Sequence, residues 1–270
     1  MKDHRVRPGT RVDLSRIDAD DTDGFDEDNA RARLARDLER LAKLQDVFYA
    51  EHRRALLVVL QGMDTAGKDG TIKHVMNGVN PSGCEVTAFK VPTAEEAEHD
   101  FLWRAHRAAP RSGHIVIFNR SHYEDVIVTR VHHAVPRKVI KQRYDHINGF
   151  ERMLADNDTV VLKFFLHISK REQARRLRER LDDPAKQWKF SVNDLAERKR
   201  WPHYMAAYEK ALSHCNARWA PWYVIPSNHK WYRNLAVASV LVDTLERLHC
   251  RYPQPQLSPA QLRRLRREIR

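Results

Sequence analysis

The chain has 270 residues, 42% of them hydrophobic, enough to bury a sizeable core in one elaborated domain without requiring two. Forty-eight Lys and Arg stand against 36 Asp and Glu, and the net charge of +12 calls for an acidic partner: nucleic acid, an anionic membrane or a phosphate-rich small substrate. Cys84, Cys215 and Cys250 are far apart and form no CxxC pair, which argues against a disulfide framework and a cysteine zinc site and points to a reducing, cytoplasmic setting. The polar N-terminus lacks the apolar stretch of a signal peptide, and no apolar run reaches the ~18 residues of a membrane span, so neither export nor insertion is expected.

Residues 1–29 mix basic residues with the acidic run Asp18, Asp20, Asp21, Asp23, Asp26, Glu27 and Asp28 and have few groups to bury; they read as a polar arm or docking segment. From Ala30 to Arg54, Leu34, Leu38, Leu41 and Phe48 recur at helical spacing, with Asn29 or Asp28 placed to cap the start. The period then changes. Ala55–Leu60 is a short continuous apolar run, as in a buried parallel strand, and similar runs follow at Cys84–Phe89, Ile115–Phe118, Val160–Ile168 and Trp222–Ile225. Helical stretches lie between them, two opened by capping boxes, Thr93 with Glu96 and Ser169 with Glu172. The pattern predicts an α/β fold, a five-stranded parallel sheet flanked by helices within a domain spanning 30–250. Residues 227–250 form its last core helix, and Ser258, Pro259 and Gln261 open a further helix in a basic tail, 251–270.

Gly62-Met-Asp-Thr-Ala-Gly67-Lys68 follows the first strand and opens a helix, the context that a GxxxxGK phosphate loop requires. Gly62 and Gly67 let backbone N–H groups curl around phosphate oxygens, the helix presents its positive end, and Lys68 supplies a mobile charge. The next position would be Ser or Thr if the loop held nucleotide-bound magnesium in the usual way, but it is Asp69. Asp64, a carboxylate inside the loop, fits a hard divalent cation that wants oxygen ligands; its alternative role is hydrogen bonding within the loop.

The third strand runs into Asn119-Arg120-Ser-His-Tyr-Glu124-Asp125, at the carboxyl edge where open parallel sheets bind ligands. Nucleoside-monophosphate kinases of the thymidylate kinase type carry Asp-Arg here. Asn119 has no charge, so Glu124 or Asp125 is the carboxylate available to replace the Asp. Arg120 suits a bidentate phosphate clamp, or else an ion pair with Asp64, Glu124 or Asp125.

After the fourth strand, Arg171, Arg175, Arg176, Arg178 and Arg180 crowd one helix, followed by Lys186, Trp188 and Lys189. Spacing puts Arg171, Arg175 and Arg178 on one face, free for a ligand, while Glu172 can pair Arg176. Trp188 has two roles open to it, stacking on a base or packing the segment down. His132, His133 and His203 lack metal spacing.

At four stretches, residues 62–70, 118–126, 182–190 and 220–226, the chain resembles the polyphosphate kinase 2 family, and the likeness runs from about Leu56 to Leu245. The resemblance implies a thymidylate-kinase-like P-loop kinase fold with a helical lid at about 169–195, magnesium dependence with manganese as the alternative ion, and inorganic polyphosphate as donor or acceptor toward AMP, ADP and ATP. Asn119 and Glu124 resemble the class III pattern, which implies that AMP and ADP are both accepted.

On this reading Asp64, Lys68, Arg120 and Glu124 are catalytic, with Asp64 and Glu124 on the metal. Gly67, Lys68, Asp69, Arg175, Arg178, Arg180 and Lys189 bind polyphosphate. Phe89, Lys90, Pro92 and Thr93, assigned by topology alone, join Asn119, Arg120 and Glu124 on the nucleotide. A homo-oligomer is expected, with neither a membrane nor a specific nucleic acid as partner. Two rivals are an ATP-dependent nucleoside-monophosphate kinase, which Asp69 and the excess positive charge fit less well, and a nucleic-acid-binding NTPase, for which no recognition motif is present.

Overall fold

A computed structural model describes residues 2–269. Five strands, β1 (Ala55–Gln61), β2 (Cys84–Ala88), β3 (Ile115–Asn119), β4 (Thr159–His167) and β5 (Trp222–Pro226), form one sheet in the order β2-β3-β1-β4-β5. All pairings are parallel, with Leu60 opposite Asn119, Gln61 opposite Phe165 and His167 opposite Pro226 near the carboxyl ends. The chain leaves β1 to one side for β2 and β3 and to the other for β4 and β5. The carboxyl ends of β1 and β3 therefore flank the point where strand order reverses, the place where such sheets hold ligands.

The central strands are the apolar runs of the sequence: every β1 residue is buried, and every β4 residue except Val160. β2 departs from the expected buried strand. It lies at the sheet edge, where Glu85, Val86 and Ala88 are exposed because no further strand or helix covers them.

The helices are α1 (Glu27–Glu51), α2 (Lys68–Val75), α3 (Ala94–Glu98), α4 (Trp103–Arg107), α5 (Glu124–Val131), α6 (Arg137–Asp156), α7 (Lys170–Asp182), α8 (Val192–Lys199), α9 (Trp201–His214), α10 (Lys230–Arg247) and α11 (Pro259–Glu268). α1 and α2 pack on α10, whose buried face runs from Tyr232 to Leu245, while α5 packs on α6 and α9. α7 and the start of α8 fall in the segment expected as a lid, about 169–195, and α9 follows it.

Two sequence expectations change at helix starts. α1 begins at Glu27 rather than Ala30, because Asp26, not Asp28 or Asn29, accepts the Asn29 N–H as N-cap. The box at Thr93 and Glu96 forms in both directions, but at Ser169 only half of it does: the Glu172 carboxylate turns instead to Arg175 and Arg176.

The N-terminal segment buries more than its composition suggests. β5 is an edge strand with unpaired backbone groups, and the chain at His4–Val6 meets them antiparallel: Val6 N–H donates to Trp222 O at 2.8 Å and Val224 N–H to His4 O at 3.0 Å. Val12, Leu14 and Ala19 are buried behind this strap. Its acids serve the backbone, since Asp13, Asp18 and Asp21 each accept an N–H two residues on and so close turns.

Candidate active site

The loop from Gly62 to Lys68 leaves the buried end of β1 and is pinned by Met63 and Ala66, both buried. Gly67 has φ +103°, and a Cβ there would lie 1.9 Å from a guanidinium nitrogen of Arg233, so only glycine fits. Gly67 is also the N-cap of α2 and offers no side-chain cap, which leaves the first N–H groups of α2 available to an anion.

Two arginines hold the back of this loop. Arg176 donates to Thr65 O (2.9 Å) and Ala66 O (3.1 Å), to Ser227 O (2.6 Å) and Asn228 O (2.9 Å), and through Nε to Glu172 (2.6 Å). Arg233 donates to Ala66 O at 3.2 Å. These bonds fix the Thr65 and Ala66 carbonyls, while the Ala66 N–H donates to Met63 O within the loop. Both arginines are buried, and burial pushes their pKa values down, opposed at Arg176 by Glu172. Sequence reasoning saw Glu172–Arg176 as an i,i+4 pair but not its burial, and it missed Arg233, the only charged residue between Trp231 and Val242 of α10, which is itself the signal of a buried charge.

Lys68, expected to be mobile, is seated. It is 9% exposed and donates to Gly62 O at 2.8 Å and Met63 O at 3.4 Å. Burial and then the charge of Arg120 lower its pKa, with Asp64 and Glu124 opposing. Asp64 lies in the loop with its backbone carbonyl held by Gln173, and its carboxylate meets Arg120 at 2.8 Å.

Arg120 follows β3 in a left-handed conformation, φ +60°, unusual for a residue with a side chain. Its guanidinium lies between Asp64 and Glu124, the latter at 3.9 Å, and 43% of the side chain stays exposed to a ligand. Against the cost of burial, Glu124 and Asp64 raise its pKa. Glu124 opens α5, and burial pushes its carboxyl upwards while Arg120 and Lys68 pull it back. Packing gives Glu124 and Asp125 different partners. Asp125 is taken by Arg104 (3.4 Å) and Arg143 (3.8 Å), away from Arg120.

Lys68, Asp64, Arg120 and Glu124 thus converge, as expected. Asp69 and Asn119 meet each other instead: the Asn119 amide donates to the Asp69 carboxylate at 2.6 Å, tying the start of α2 to the end of β3. In the 89–93 segment Lys90, Val91 and Pro92 face solvent. The Phe89 ring is buried 4.7 Å from Phe118, and Thr93 caps α3, so both are structural in this conformation.

The expected free arginine face of α7 is corrected at Arg175, which pairs with Glu172 at 2.6 Å and with Glu179. Arg171 reaches Asp20 only at 3.9 Å. Arg178 is exposed and has no partner among the described residues. Arg180 turns to Asp194 (3.5 Å) and Lys189 O (3.4 Å), while the Lys189 ammonium sits 5.0 Å over the Trp188 ring. Trp188 is 78% exposed and does not pack the segment down. His132 meets Glu197 at 2.9 Å, and among the described residues no three His, Cys, Asp or Glu converge as a metal group.

The family model for polyphosphate kinase 2 matches residues 24–253. An AMP/ADP-polyphosphate phosphotransferase of Meiothermus ruber is 55% identical over 95% of this chain and 97% of its own. An ADP-polyphosphate phosphotransferase of Rhodopseudomonas palustris is 44% identical over 94% and 92%. The crystal structure of polyphosphate kinase 2 from Arthrobacter aurescens superposes with a TM-score of 0.94 at 42% identity, covering 98% of this chain and 95% of that one.

Proposed function

The chain belongs to the polyphosphate kinase 2 family, and from that premise we propose that it moves the terminal phosphoryl group of inorganic polyphosphate to ADP, giving ATP, and to AMP, giving ADP, reversibly. The observation that carries the reading is Arg120 held between Asp64 and Glu124, beside the uncapped start of α2 and Lys68.

Phosphoryl transfer needs little covalent help from the protein; it needs the donor and acceptor in line and the charge of the moving group neutralised. Lys68 and the first N–H groups of α2 receive the polyphosphate end, and Arg120 exchanges its carboxylate contacts for the transferring phosphoryl. Arg178 and Lys189 extend the cationic track along the lid. Lys90 and Pro92, with Asn119, face the acceptor side.

Magnesium fits this donor set. Asp64 and Glu124 flank one guanidinium, so two hard oxygen donors converge, and magnesium is commonly held by one or two carboxylates with substrate phosphates and water completing its shell. When bound it supplies positive charge to the phosphate oxygens; manganese suits the same ligands. Cytoplasmic residence is supported by three unpaired thiols, and the described helices include none long and apolar enough to cross a membrane. Self-association stays part of the proposal, and a sizing measurement tests it.

The deciding experiment is purified protein with magnesium, long-chain polyphosphate and either AMP or ADP, with nucleotide products separated. ADP and ATP from AMP, and ATP from ADP, are expected. Transfer only when ATP is the donor would favour a nucleoside-monophosphate kinase, and tighter salt-dependent binding of DNA than of polyphosphate would favour the nucleic-acid reading.

A further inference from the structure

Beneath the site lies a charged network that touches no solvent. Lys163 on β4 is 0% exposed, Glu151 on α6 1% and Tyr123 0%. The Lys163 ammonium spends its three donors on three separate parts of the fold: Glu151 at 2.5 Å, the Tyr123 hydroxyl at 3.0 Å and Cys215 O, just past α9, at 2.6 Å. Tyr123 closes the ring by donating to Glu151 at 2.7 Å. Against burial, Lys163 and His122 hold the Glu151 carboxyl below the ordinary carboxylate range.

Stability alone gives no reason for such a network, because apolar residues of similar volume often replace a buried ion pair at no cost. Its location gives one. Tyr123 immediately precedes Glu124 and is the N-cap of α5, where no side chain caps the helix. Three residues earlier Arg120 holds its left-handed backbone, a conformation that persists only where the surroundings over-determine it. Between them Ser121 Oγ accepts from the Tyr123 N–H at 3.1 Å and from the Gln61 amide at 3.0 Å, joining this turn to the base of the P-loop.

We propose that Lys163, with Glu151, is a positioning residue: acting through the Tyr123 hydroxyl, it fixes the 119–124 turn so that Arg120 and Glu124 face the phosphate loop. The inference rests on the reading of Arg120 and Glu124 given above. Lys163 also reaches the end of α9, the helix returning from the lid, so the same ammonium ties the lid's return to the turn that carries the reacting groups.

Lys163→Met alone would strand Glu151 without its cation, and the protein could fail to fold for that reason. Tyr123→Phe is the cleaner variant, because it removes one hydroxyl and leaves the Lys163–Glu151 pair in place. Hydrogen exchange, read by peptide, should show amides of residues 119–125 exchanging about tenfold faster while β1 and β4 keep their protection. The kcat should fall roughly tenfold or more with KM for polyphosphate within about twofold, since misplacing a reacting group by about 1 Å can cost on the order of 100-fold. The paired variant Lys163→Met/Glu151→Gln should fold and reproduce both changes.

Unaltered exchange at 119–125 would overturn the inference, and equal acceleration throughout the sheet would reduce the network to general packing. Local loosening with unchanged kcat would overturn it differently, by showing that the turn moves freely without harm and that Arg120 and Glu124 are not the reacting groups.

Discussion

Arginine plays opposite parts in two regions of this molecule that lie on the same helix. Arg176 is buried and its donors are spent on four carbonyls and Glu172, while Arg178, two residues on, is exposed and without a partner among the described residues. One builds the phosphate loop from behind; the other is available to a polyanion. The difference arises from what each guanidinium meets. A buried arginine must find acceptors for its fork of donors, and the backbone of a tightly turned glycine loop is rich in them. An exposed one keeps its water until a ligand arrives.

If this contrast is sound, the largest effect should come from the buried member. Arg176→Ala should destabilise the protein by about 3 to 5 kcal/mol, as when one partner of a buried pair is removed, with activity lost as the loop relaxes. Denaturant unfolding checks it, and a loss of activity at unchanged stability would move Arg176 from scaffold to ligand contact.

Lys68→Ala reverses the pattern. The lysine is buried at an energetic cost, so removing it should leave stability little altered while turnover falls by on the order of 100- to 1,000-fold, the usual scale for one donor aimed at developing charge. Near-normal turnover would break the assignment of the phosphate loop.

Glu124 sharpens the comparison on the acceptor side. Neutral Asn in its place keeps most of the size and loses the charge beside Arg120. Glu124→Asn should therefore lower the rate with AMP beyond any loss with ADP, by about 1 to 3 kcal/mol for one charge-assisted contact. Initial rates with each acceptor, at saturating polyphosphate and magnesium, decide it; equal losses would make Glu124 a general residue of the site.

The smallest effect belongs to the exposed face. Arg178→Ala should weaken polyphosphate roughly two- to five-fold, less at high salt, and leave the nucleotide KM unchanged. Arg175→Ala should do less, since Glu172 and Glu179 already occupy it. A larger loss at Arg175 would mean that those pairs open when substrate binds.

Much of this was legible in the residues themselves. Continuous apolar runs of strand length, alternating with helical stretches of which several carry their own start signals, determined the parallel sheet, because a strand buried on both faces leaves no room for polar alternation. Gly62, Gly67 and Lys68 marked the loop because few residues tolerate its turns. Local spacing could not decide burial. It put Arg175 and Arg178 on one face without showing that Glu172 and Glu179 would claim the first, and it offered Glu124 and Asp125 equally until Arg104 and Arg143, remote in sequence, took Asp125. Likewise residues 1–29 read as a polar arm with few groups to bury until the open edge of β5 supplied a place for Val6 and its neighbours. In each case the deciding partner comes from a distant part of the chain, and its field and its exclusion of water exist only once the sheet has brought the two together.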